Sequence, residues 1–219
     1  MPFSPLHLLA FAFLLGTLAA FVQIGLLTIA FDKLGLSPAQ GMLLFLGSLA
    51  GSAVNIPVAE VRAQPPPAAR SVAGGWGLLR LRRPFTGRTV IAVNLGGCVI
   101  PVLFSLHLLA GLELASWRVA AAVGTVAAFS HAVSRPVPGI GIVMPALAPP
   151  VAAALVALLL GEAQRAPLAY VAGTLGVLIG ADLLRLGDVR RLGTPLASIG
   201  GAGTFDGIFI AGIVAALLA

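Results

Sequence analysis

Seven stretches of this chain are long enough to cross a bilayer, and together they hold only two charged side chains, Asp182 and Asp206. The stretches are residues 7–31, 41–59, 89–112, 119–134, 139–161, 167–184 and 197–219. A helix needs roughly 20 apolar residues to traverse about 30 Å of hydrocarbon. No water-soluble fold can hide so many such runs. Composition agrees, since 59% of the 219 residues are hydrophobic and 9% are charged, against about 25% charged in an ordinary soluble domain. The expected fold is therefore an all-α, polytopic membrane protein: one integral membrane domain over 1–219, with about seven transmembrane helices. No Lys or Arg precedes the first run, and its apolar core is longer than that of a signal peptide, so it reads as a retained helix. Cys98 is the only cysteine and forms no intrachain disulfide.

The basic excess, 13 Lys and Arg against 7 Asp and Glu, follows membrane topology and is not a nucleic-acid signature. With seven spans, Arg62, Arg70, Arg80, Arg82, Arg83, Arg88, Arg135, Arg185, Arg190 and Arg191 fall on one side, and Lys33, Arg118 and Arg165 on the other. Loops rich in Lys and Arg stay in the cytoplasm. The expected location is the cell (inner) membrane, with a cytoplasmic N-terminus and an external C-terminus. The assignment depends on the fourth stretch crossing fully, although it has only about 16 residues. Residues 62–88 form a basic, Pro/Gly-rich cytoplasmic loop. Its Pro65-Pro66-Pro67 linker, Gly74-Gly75-Trp76-Gly77 turn and Leu78–Pro84 segment suit anionic lipid head groups. A plain topology-setting loop is the simpler reading.

Parts of the sequence recur. Leu34-Gly35, Pro38-Ala39-Gln40 and Gly47-Ser48-Leu49 are echoed by Leu160-Gly161, Gln164-Arg165-Ala166 and Gly173-Thr174-Leu175. Asn94-Leu95-Gly96-Gly97 is echoed by Ser198-Ile199-Gly200-Gly201. The echoes fit two parallel three-helix units joined by the fourth helix, a plan some transporters use.

Ionisable groups within a bilayer are costly and are functional hypotheses by default. Asp182 lies near the cytoplasmic end of the sixth stretch, and Asp206 near the cytoplasmic start of the seventh. Antiparallel packing of consecutive helices would bring the carboxyls to similar depth. A close pair in low dielectric would share a proton, one serving as base toward water and the other as donor to a carbonyl. Gly201 and Gly203 allow backbone or substrate to approach Asp206. The simpler alternatives are an Asp182 that merely caps or forms a salt bridge near Arg185 at the interface, and an Asp206 that bonds backbone amides. Asn55, Asn94 and His131 are candidates for lining a polar cavity on the same side; as alternatives, the asparagines are interhelical hydrogen-bond partners. His131 is also a possible proton relay. Pro145, with Pro136, Pro138, Pro149 and Pro150, interrupts the fifth stretch as helices beside cavities are interrupted. No residue spacing indicates a metal site, and no cofactor motif is present.

Gly203-Thr204-Phe205-Asp206-Gly207 resembles the Gly-x-Gly-Asp segment of presenilin and signal-peptide-peptidase intramembrane proteases, and Asp182-Leu183-Leu184 resembles their Tyr-Asp partner helix. The resemblance implies an aspartyl dyad that cuts peptide bonds within the membrane. Phe205 stands where the motif has its second glycine, and Ala181 where it has tyrosine. Pro145-Ala146-Leu147 precedes the dyad instead of following it. As a whole, the chain resembles a family of uncharacterised prokaryotic seven-helix membrane proteins that share its Asn-Ile-Pro, Asn-x-Gly-Gly and Gly-Gly-Ala-Gly-Thr-Phe-Asp segments. Three functions stay open: an aspartyl hydrolase acting on a transmembrane peptide, a small-solute transporter coupled to protons or cations through the same acids, and a non-catalytic membrane scaffold.

Overall fold

The computed structural model describes residues 25–65, 86–201 and 207–219, together with Gly16. Asp206 and Gly203 lie outside the described residues, as do most of the first expected span and of the loop at 62–88. Helix α1 (Leu26–Lys33) and helix α2 (Pro38–Gly51) meet at a bend of 107°. The second start is fixed locally: Ser37 accepts from the Gln40 amide, the Gln40 side chain returns to Ser37 N–H, and Pro38 fills the first helical position. After α2 the chain becomes extended. Strand β1 (Asn55–Arg62) pairs antiparallel with β2 (Arg88–Asn94), with a register shift between Pro57 and Ala59. Pro57 has no N–H to donate, and β1 is the sheet edge, where proline is tolerated.

From β2 the chain passes through a π-helical turn (Leu95–Val99) into α3 (Ile100–Gly111), then into α4 (Ser116–Val133). A hairpin of β3 (Arg135–Val137) and β4 (Gly141–Val143) leads to α5 (Ala148–Leu160) and α6 (Arg165–Val177). Helix α6 continues through a second π-helical turn (Leu178–Asp182) and a 3₁₀ segment into the short α7 (Val189–Leu192). Strand β5 (Leu196–Ile199) then pairs in parallel with β2, and α8 (Gly207–Leu218) closes the chain.

The all-α expectation is thus corrected. The fold is mostly helical, with a three-stranded sheet in the order β1-β2-β5 and a separate two-stranded hairpin. Three expected spans are composite: 41–59 combines α2 with the start of β1, 89–112 combines β2 with α3, and 197–219 runs from β5 to α8. In each, β-branched residues such as Ile56, Val58, Val90, Ile91, Val93 and Ile199 occupy the extended part. The break expected in 139–161 is present, and the hairpin's second strand occupies it. Among the described residues one helical run, Glu162–Leu192, is long and apolar enough to cross a membrane, and there are two if the bent α1–α2 pair counts as one span. Three shorter apolar helices, Leu95–Gly111, Ala148–Leu160 and Gly207–Leu218, accompany them.

Helix α6 is the axis of the packing. Leu168, Ala169, Tyr170, Val171, Ala172 and Thr174 on it are fully buried, against α4, α5 and α8. Close approach depends on small residues: a Cβ on Gly180 would fall 2.1 Å from the Ala127 carbonyl, and one on Gly173 would fall 3.1 Å from the Ala211 carbonyl. Large aliphatic side chains point outward, with Leu159 84% and Leu43 75% exposed.

The helices run between two ends of different character. At one end, Lys33 Nζ donates to the Leu217 carbonyl at 2.9 Å, and Arg118 pairs with Glu162. The other end holds both sheets, the two π-helical turns and, among the described residues, the arginines Arg62, Arg88, Arg135, Arg185, Arg190 and Arg191.

Candidate functional site

At the sheet-bearing end, the parallel strands β2 and β5 each run into a Gly-Gly pair, Gly96-Gly97 and Gly200-Gly201. Two Gly-Gly segments on neighbouring parallel strands leave space for backbone to approach backbone, and both segments are used in this way. Gly200 has φ +72°, the left-handed region that favours glycine, and a Cβ there would fall 2.7 Å from Cys98 Cβ and 2.8 Å from the Gly97 carbonyl carbon. Gly96 is pressed onto the end of α2, where Ser48 Oγ donates to its carbonyl at 2.5 Å. The two halves of the chain therefore touch backbone to backbone.

Asp182 closes the second π-helical turn, and its Oδ2 accepts the Gly200 N–H at 2.7 Å. The Asp182–Arg185 ion pair, one of the simpler alternatives, is not formed. Arg185 instead turns to the C-terminal end of α4, donating to the His131 carbonyl at 2.8 Å, to the Ser134 carbonyl at 2.9 Å and to Asp188. Guanidinium donors are well matched to the unsatisfied last carbonyls of a helix. Arg185 thus leaves the Asp182 carboxylate to the glycine turn. Turns of π-helix inside α-helices are found frequently at functional sites, and here two of them flank Gly200.

Asn94, 2% exposed, joins the first half to this junction. Its Oδ1 accepts the Gly97 N–H at 2.8 Å, which caps the first π-helical turn, and its Nδ2 donates to the Ser52 carbonyl at 2.8 Å and to Asn55 Oδ1 at 3.2 Å. Ser198 on β5 donates its hydroxyl to the same Asn55 oxygen at 2.5 Å. Both asparagines are hydrogen-bond partners, but they bond from strand ends and not between facing helices. Gly201 lies against this set, since a Cβ on it would fall 2.1 Å from Ser198 Oγ and 3.4 Å from Asn55 Oδ1.

His131 reaches the same region from the opposite face, with Nδ1 3.2 Å from the Gly180 carbonyl within the π-helical turn that ends at Asp182. Pro145 is not part of the cluster; it lines a groove beside the β3–β4 hairpin. Asp206 and Gly203 follow Gly201 in the sequence but lie outside the described residues. Among the described residues no group of three or more His, Cys, Asp or Glu side chains is placed to hold a metal ion. Residue-type reasoning missed Ser52, Gly97, Ser198 and Gly200. The available signal was the echo of Asn94-Leu95-Gly96-Gly97 in Ser198-Ile199-Gly200-Gly201: the two echoed segments are the two that meet.

Residues 49–218 match a family model described as "Protein of unknown function (DUF1614)". The chain belongs to this family. The match takes in every residue of the cluster from Ser52 to Gly201. No curated protein and no solved structure matches the chain, so presenilins and signal peptide peptidases are not among its matches.

Proposed function

We propose that the chain is a multi-pass membrane protein and acts as an intramembrane hydrolase through Asp182 and Asp206. The observation that carries this reading is the bond from Gly200 N–H to the Asp182 carboxylate. It fixes Asp182 against the turn from which the chain continues toward Asp206. In this mechanism one carboxyl takes the proton of an attacking water while the other donates to the peptide carbonyl. The exposed Asn55 side chain and the partly exposed Ser198 hydroxyl offer an extended substrate strand hydrogen bonds in surroundings otherwise poor in them.

The membrane setting is supported by the distribution of side chains: small residues between helices, and Leu43, Leu103, Leu155 and Leu159 on the outer surface. The gathering of arginines at one end fits a cytoplasmic face there. The second reading, a solute transporter coupled to protons or cations, has its own support: the two echoed strand–glycine segments meet where Gly200 packs on Gly97 and Cys98, and transporters built from repeats bind their cargo at the repeat interface.

The test is proximity. In a Cys98→Ser background, Asp182→Cys and Asp206→Cys together should form a disulfide on mild oxidation, since bridging requires Cα atoms within about 7 Å. Absence of the bridge in folded, membrane-inserted protein ends the hydrolase reading. If the bridge forms, a photoreactive hydroxyethylene peptide isostere should label the wild type and fail to label Asp182→Asn or Asp206→Asn. A transporter would leave both the wild type and the variants unlabelled.

A further inference from the structure

A groove of about 510 Å³ lies beneath the β3–β4 hairpin, remote in chemistry from the aspartate junction. Its walls are Ala132 and Val133 at the end of α4, Val137 and Val143 on the hairpin, and Met144 and Pro145 after it. Among the described residues, Arg135 is the one charged residue that lines it, and no acid does. The Arg135 side chain is exposed and has no ion pair among the described residues. The hairpin turn is tied to α7, because Gly139 N–H donates to the Leu192 carbonyl at 2.7 Å, and α7 carries the exposed Arg190 and Arg191.

The local balance of charge is one-sided. Of the described acids at this end, Glu60 is paired with Arg88, Asp188 is paired with Arg185 and Asp182 accepts from Gly200 N–H, whereas Arg135, Arg190 and Arg191 have no carboxylate within ion-pair distance among the described residues. An apolar trough with a guanidinium at its rim and further arginines on the adjoining helix fits a molecule that carries both an acyl chain and a phosphate.

We propose that this groove binds one anionic phospholipid, with an acyl chain lying along Val133, Val137, Val143 and Met144 and the head-group phosphate held by Arg135. A planar guanidinium can engage two phosphate oxygens at once, which an ammonium cannot. The arginines of α7 add attraction without defining the geometry. The site rests on the membrane placement proposed above but not on the aspartates, so the disulfide between positions 182 and 206 can fail to form while lipid binding holds.

The experiment is equilibrium binding to the full-length protein in detergent, read by native mass spectrometry. Dioleoyl phosphatidylglycerol should bind more tightly than dioleoyl phosphatidylcholine. Arg135→Gln should weaken phosphatidylglycerol binding about fivefold, the size expected for one basic residue at an anionic surface, and weaken phosphatidylcholine binding less, because the choline cation offsets the phosphate charge. Arg135→Lys should recover only part of the loss. Val143→Trp, which fills the groove from an exposed position, should weaken binding of the lipid while leaving the thermal unfolding midpoint in place. Glycerol 1-phosphate, which has the head group without the chains, should not compete. Equal binding of the two lipids, an unaltered Arg135→Gln variant, or full competition by glycerol 1-phosphate would each overturn the proposal; the last would point to a free-anion site.

Discussion

At the residue scale, Gly200 is constrained twice over. Its φ of +72° disfavours any side chain, and a Cβ would collide with Cys98 and the Gly97 backbone. Left-handed strain at a non-glycine residue costs of order 1–3 kcal/mol before any clash is added. Gly200→Ala should therefore lower the thermal unfolding midpoint in detergent substantially. Gly124→Ala is the contrasting control: Gly124 sits inside α4 with open space around it, so alanine there should be neutral or stabilise by up to about 1 kcal/mol. If both variants melt alike, the tight contact at Gly200 is not a constraint. Asn94→Leu is a second test, because it deprives the Gly97 N–H and the Ser52 carbonyl of their partner, at about 1–3 kcal/mol for each group left buried and unpaired.

At the scale of elements, the sequence predicted helices correctly in α4 and α6, and missed the strands. The reason is physical. An apolar run buried on all sides has no polar face to show a period, so strand and helix look alike. What separated them here was local chemistry at the ends of the runs: Asn94 before Gly96-Gly97, and Pro57 in a stretch too short of helix formers. The candidate site was partly legible for the same reason. Asp182, Asn55 and Asn94 stand out as polar residues in apolar surroundings, whereas Ser198 and Gly200 become visible only through strand pairing. Arg185 was read as a possible partner of Asp182 on sequence adjacency, but a rigid 3₁₀ turn aims it at the end of α4. Arg185→Gln should loosen that end by about 1–3 kcal/mol, because bonds from a charged donor are lost. Hydrogen–deuterium exchange at residues 130–134 checks this, and unchanged exchange there would rule out an anchoring role.

At the scale of the whole molecule, charge is sorted by end. Lys33, Arg118 and Arg165 share one end with Asp32, Glu113 and Glu162, while the sheet-bearing end collects Arg62, Arg88, Arg135, Arg185, Arg190 and Arg191. With the outward leucines between the ends, this distribution predicts a fixed orientation in a bilayer. The single variants Arg190→Cys and Arg165→Cys, each in a Cys98→Ser background, should react with a membrane-impermeant maleimide from opposite sides, the first from the cytoplasm. Labelling of both from the same side would refute the multi-pass arrangement.

The parallel pairing of β2 with β5 also has a consequence for how the chain is made. Strand β2 leaves the ribosome with β1 on one edge and nothing on the other, and the strand that completes it follows only after α3, α4, α5, α6 and α7. A contact between such distant parts of the chain forms late, so the exposed edge must survive most of synthesis and insertion without pairing elsewhere. Translation arrested just before Leu196 would yield a nascent intermediate with its helices inserted and this edge open, a species that membrane-insertion factors or quality-control proteases can distinguish from the finished protein.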